Sequence, residues 1–126
     1  MKEELNELAS EAYEINVAKG YYKGRVNIPE KLCLIHSEVT EALEAERNDK
    51  YFLMTKTQKN VLMGWTNEVD FKESYDQTIK GSFEEEMADI IIRTLSLCAH
   101  KKIDISFHVK AKIRYNKSTS PKKFLS

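Results

Sequence analysis

Two short stretches carry acids at a spacing that could do chemistry. IHSEVTEALEAER, Ile35 to Arg47, holds Glu38 and Glu41, and EEEMADIIIRTL, Glu84 to Leu95, holds Glu86 and Asp89. At 100° per residue, Glu38 and Glu41 project from the side of their helix that carries Leu34, Ile35, Ala42 and Ala45, whereas Glu44 points away. Glu86 and Asp89 belong to the one polar stripe of a helix that is otherwise apolar through Met87, Ala88, Ile90, Ile91, Leu95, Cys98 and Ala99. Four carboxylates brought together cost many kcal/mol unless protons, cations or basic side chains compensate them. A divalent cation is the economical partner, and an all-carboxylate donor set favours a hard ion, Mg²⁺ or Mn²⁺, over zinc. A di-iron bundle needs Glu-x-x-His, and here the residues three before His36, His100 and His108 are Cys33, Leu97 and Ile105. Arg93, one turn after Asp89, can neutralise that acid or hold a phosphate. His100 reads as a helix-end histidine.

The elements that must position these acids are helical. Apolar residues recur three and four apart, no alternating β pattern stands out, and four glycines and two prolines leave little punctuation, so the chain is all-α. A first helix is expected over about Lys2 to Lys19, stopped at Gly20. A second follows Asn27 with Pro29 in its first turn and runs to about Arg47. Ser82 and Glu85 have the capping-box spacing for a third, about Phe83 to His100, which its all-round apolar surface predicts to be largely buried. Asp104 caps a fourth, about Ile105 to Lys117, with residues 118–126 as a tail. On that fourth helix Lys112 and Asn116 fall on the side of Ile105 and Val109. Residues 49–81 form an insert of unusual length for a small bundle, rich enough in carbon to pack as a short helix or hairpin.

Length and charge narrow the class. A chain of 126 residues with 41% hydrophobic content suits one domain. Lys and Arg number 7 against 11 acids in residues 1–50, 5 against 8 in 51–100, and 8 against 1 in 101–126; the acidic body argues against binding nucleic-acid polymers. No apolar run reaches a membrane span, and Cys33 and Cys98 lack metal or disulfide-scaffold spacing, so a cytoplasmic protein is expected. The apolar third helix and the insert call for self-association.

The motif residues resemble the MazG-like all-α nucleoside triphosphate pyrophosphohydrolases, whose mark is E-x-x-E on one helix and E-x-x-D on the next. Glu38 and Glu41 in SEVTEALEA, and Glu86 and Asp89 in EEEMAD, look like that pair, and KGYY from Lys19 and KAKIRYNK from Lys110 extend the likeness. The chain departs from the pattern at Ser37, where an acid often precedes the first glutamate, in the length of the insert, and after Tyr115-Asn116-Lys117. The resemblance implies a four-helix-bundle-like fold, assembled as a homodimer or homotetramer. It further implies Mg²⁺-dependent cleavage of a (deoxy)nucleoside triphosphate to monophosphate and pyrophosphate, a housecleaning activity. Glu38, Glu41, Glu86 and Asp89 would be metal ligands, with Glu38 or Glu41 acting instead as the base that orients water. Lys112 and Arg93 would meet phosphates, and Tyr115 and Asn116 the sugar or base. Two alternatives stay open: a phosphoribosyl-ATP pyrophosphohydrolase, and a non-catalytic helical interaction module in which Lys112 and Arg93 neutralise the acids.

Overall fold

Helix starts in this chain are written in its capping residues. The computed structural model describes residues 4–119, with six helices and no strand among them: α1 Glu4–Ala18, α2 Ile28–Arg47, α3 Lys56–Met63, α4 Glu68–Gln77, α5 Phe83–His100 and α6 Ile105–Lys117. The side chain of Asn27 accepts from the Glu30 N–H at 3.0 Å and Pro29 follows in the first turn of α2. Asp104 does the same for α6, accepting from Phe107 N–H at 3.1 Å. The expected helix start at Lys2 and the tail from Pro121 lie outside the described residues.

Three helix ends, those of α1, α2 and α5, share one device. Gly20, Asp49 and Lys102 all take left-handed φ values, of 87°, 53° and 58°. Behind each, two N–H groups reach back to the last turn: Gly20 to Val17 and Tyr21 to Asn16, Asp49 to Glu46 and Lys50 to Ala45, Lys102 to Ala99 and Ile103 to Cys98. These are Schellman motifs, which satisfy carbonyls the helix leaves open. Glycine fits the conformation without strain at Gly20; Asp49 and Lys102 hold it against the Cβ penalty.

The chain divides into two compact units, Asn27–Ile91 and the described parts of Met1–Val26 with Ile92–Ser126. In the second of these, α1 is tied to the start of α6 by Asn6. Its backbone N–H donates to Ser106 Oγ at 3.2 Å, its side-chain oxygen accepts from Ser106 N–H at 3.1 Å, and its amide nitrogen donates to Asp104 at 2.8 Å. Deeper, Asn16 Nδ2 donates to Ser96 Oγ at 2.9 Å and the Ser96 hydroxyl donates to Tyr22 at 3.2 Å, so the fully buried serine is satisfied on both sides. Tyr22 stacks on His100, whose Nδ1 lies 3.1 Å from the Tyr13 hydroxyl.

In Asn27–Ile91 the expected insert is two capped helices. Thr55 and Gln58 form a complete capping box for α3, and Asn67 caps α4 by accepting from Asp70 N–H at 2.8 Å. Leu62 of α3 is buried, but Leu53, Met63 and Val69 are 90%, 76% and 75% exposed. The expectation that the Phe83–His100 helix is largely buried is corrected as well. Leu95 and Ser96 are buried, while Met87, Ile91 and Ile92 are exposed.

Candidate metal centre

All four motif acids belong to the Asn27–Ile91 unit. On α2 the buried stripe runs Glu38, Ala42, Ala45, at the four-three spacing of a helix face, with Ile35 half-buried one turn earlier. Glu38 therefore takes a place in the apolar stripe and is itself only 7% exposed, while the small side chains of Ala42 and Ala45 follow it along the same face. Glu41 is not inward as expected but exposed. Its carboxylate nevertheless comes within 4.8 Å of those of Glu38 and Glu86. Glu44 points away, as expected, and pairs with Arg47 at 3.5 Å on the surface.

The start of α5 is brought to α2 by the segment that follows α2. Phe83 N–H donates to Lys50 C=O at 2.7 Å, and Phe52 N–H donates to Glu84 Oε1 at 3.0 Å. Ser82 is buried and accepts from Glu85 N–H at 3.1 Å, as a capping residue should. The reciprocal half of the expected box is shifted by one residue: Glu85 Oε1 accepts from Gly81 N–H at 2.7 Å rather than from Ser82. Gly81 has φ +79°, a conformation that favours glycine.

These contacts gather the acids into two overlapping groups. Carboxylate oxygens of Glu38, Glu41 and Glu86 lie within 4.8 Å of one another, and so do those of Glu85, Glu86 and Asp89. Glu86 belongs to both. Burial, then repulsion from Glu41, Asp89, Glu38 and Glu85 in that order, pushes its pKa up to about 7 from 4.5. A carboxylate that crowded gives up charge at neutral pH unless a cation favours its ionised form. The donor set is oxygen only, and three such atoms from two helices fit one hard divalent ion that completes its shell with water or phosphate oxygen.

Two residues join the acids without having been singled out for this role from sequence. Glu85 reads from sequence as a capping residue, and it is one, yet its carboxylate also faces Glu86 and Asp89. Tyr75 of α4 faces the same charges: its phenol is pushed well above the usual tyrosine range by burial first and then by Glu85, Asp89 and Glu86. Beside the acids but distinct in chemistry is an apolar cavity of about 410 Å³ lined mainly by Phe52, Met54, Leu62 and Ile79, with Glu84 at its edge.

The other expected residues belong to the second unit, Arg93 on α5 and Lys112, Tyr115 and Asn116 on α6. Arg93 is half-buried. Lys112 and Asn116 are exposed rather than inward, because the buried residue of α6 is Ser106 in its first turn. The Lys112 ammonium lies 4.7 Å from the centre of the Tyr115 ring, on the same helix. Among the described residues no helix is long and apolar enough to cross a membrane. Comparison with protein-family models, with curated proteins and with solved structures finds no match.

Proposed function

We propose that this chain is a Mg²⁺-dependent nucleotide pyrophosphohydrolase of the MazG-like kind, cleaving a (deoxy)nucleoside triphosphate to a monophosphate and pyrophosphate. The observation that carries the reading is the convergence of Glu38, Glu41 and Glu86 from two helices, with Glu86 shared with Asp89. Three of the E-x-x-E and E-x-x-D positions, Glu38, Glu41 and Glu86, come within 4.8 Å of one another, and Asp89 joins the group that Glu86 shares with Glu85, which supports the reading. Mg²⁺, with Mn²⁺ as substitute, supplies charge neutralisation on phosphoryl oxygens and a lowered pKa for attacking water.

The residues divide the work by exposure. Buried Glu38 and half-buried Glu86 and Asp89 hold the cation. Exposed Glu41 is the carboxylate that solvent reaches, which favours it over Glu38 for orienting the attacking water. On the resemblance alone, Arg93 and Lys112 are assigned to the phosphates and Tyr115 and Asn116 to the sugar or base. The exposed apolar residues of both units, among them Ile15 and Phe107 in one and Leu53 and Val39 in the other, support a homodimer or homotetramer.

The test is incubation of the purified protein with Mg²⁺ and each common NTP and dNTP, with products separated by ion exchange. Monophosphate and pyrophosphate, absent with Glu38→Gln, are expected. Protein that folds and binds Mg²⁺ but turns over no nucleotide refutes the hydrolase and leaves a helical interaction module.

A further inference from the structure

We propose that the outer face of α6 is an interface between two copies of this chain, its basic stripe laid along the acidic edge of α1 in the second copy. This gives a surface to the self-association proposed above and does not depend on the metal or the reaction. Ser106 of α6 is buried and Ile105 half-buried, but every residue from Phe107 to Thr119 is exposed, Phe107 and Ile113 by 58% and 51%. A helix of 13 residues with so little covered is marginal in water. A partner that lies against it supplies what the single chain does not.

The chain carries its own complement. Phe107, Lys110, Arg114 and Lys117, three and four residues apart, form one exposed stripe of α6, about 15 Å long, with Ile113 one turn before Lys117 at its edge. On α1 the covered or half-covered face is Leu5, Ala9, Ala12 and Asn16. One residue earlier in each case, Glu4, Leu8, Glu11 and Ile15 form an exposed stripe, about 16 Å long, in which Leu8 is 44% and Ile15 56% exposed. The stripes match in length, oppose in charge and both carry apolar side chains. Both are exposed, so they do not cover each other within one chain. There α1 and α6 meet instead near their N-termini, through Asn6, Ser106 and Asp104. Among the described residues Glu4, Glu11, Arg114 and Lys117 are in no ion pair. A two-fold axis uses both stripes at once, because α6 of each copy then covers α1 of the other. It also sets the basic C-terminal segment against the acidic start of the chain.

The experiment is light scattering of the full chain, without metal or nucleotide, on wild type, on Lys110→Glu with Arg114→Glu, on Glu4→Lys with Glu11→Lys, and on an equimolar mixture of the two variants. Wild type is expected as an oligomer and each variant at half its mass, with a dissociation constant raised more than about 100-fold because like charges now face each other. The mixture, in which each reversed stripe finds an opposite one, is expected to regain the wild-type mass. Should a reversed variant fail to fold, Phe107→Ala with Ile15→Ala decides: both side chains are exposed in the single chain, so their loss costs the monomer little, and the mass should again halve. A wild-type oligomer whose variants keep its mass overturns this surface and leaves self-association to another one. Monomeric wild type overturns both, and if that monomer sediments with phosphatidylserine vesicles, the basic stripe meets a membrane instead.

Discussion

Replacing Glu86 by Gln keeps the side chain's size and removes the charge that its neighbours resist. In the folded chain its pKa is about 7, against 4.5 in its ordinary state. The ionised form is therefore penalised by folding. Its contribution to stability is fully present below pH 4.5 and is lost as pH rises through 7. Integrated between pH 5 and 8, that loss is about 2.5 kcal/mol, a ceiling because Glu86 is only half-buried. Glutamine has no such titration. Urea unfolding in EDTA should thus show wild type losing stability from pH 5 to 8 relative to Glu86→Gln, with the variant the more stable protein at pH 8. Adding Mg²⁺ should reverse the order, stabilising wild type and leaving the variant unmoved. Parallel pH profiles for the two proteins would mean that Glu86 is not crowded by Glu41, Asp89 and Glu38, and the case for a cation there would go with it.

Because a bound cation needs ionised Glu86, apparent Mn²⁺ affinity should fall about tenfold for each pH unit below about 7 and level off above it; calorimetry across pH 5.5 to 8.5, taken as roughly the range in which the group titrates, reads this directly, and a flat profile contradicts it. Lys102→Gly should stabilise the protein by about 1 kcal/mol, because the left-handed φ of 58° at that position costs a side chain and not glycine; thermal melts decide, and no gain refutes the strain. Asn6→Ala removes the clamp on Ser106 and should cost about 1 to 2 kcal/mol in chemical denaturation. Light scattering should give a mass that is a multiple of the 14.6 kDa chain, whereas a monomer would leave the exposed apolar faces without a reason.

What could be read from the sequence was local. Asn27, Ser82 and Asp104 announce their helices because a short polar side chain before an apolar repeat has few other uses, and Gly20 announces a stop. Thr55 with Gln58, and Asn67 with Asp70, carry the same kind of signal inside the insert, and the two helices there could have been drawn from them. The stops at Asp49 and Lys102 could not, since neither residue type advertises a left-handed turn. Periodicity placed Glu38 in its buried stripe but put Glu41 and Lys112 on the wrong side of the surface. A pattern shows which residues share a face; it does not say how wide the covered part of that face is. The same limit explains Ile91 and Ile92, apolar by type and exposed in the isolated chain. The cap of α5, shifted so that Glu85 accepts from Gly81 rather than Ser82, lies outside any spacing rule.

The central claim is that these acids hold a divalent cation. Crystals grown with Mn²⁺, with an anomalous difference map measured at its absorption edge, test it most directly. The account predicts a peak within coordination distance of carboxylate oxygens from Glu38 and Glu86, absent from Glu86→Gln crystals grown the same way. A map with no peak among those oxygens, or one in which Lys or Arg nitrogens fill the space between them, would contradict it.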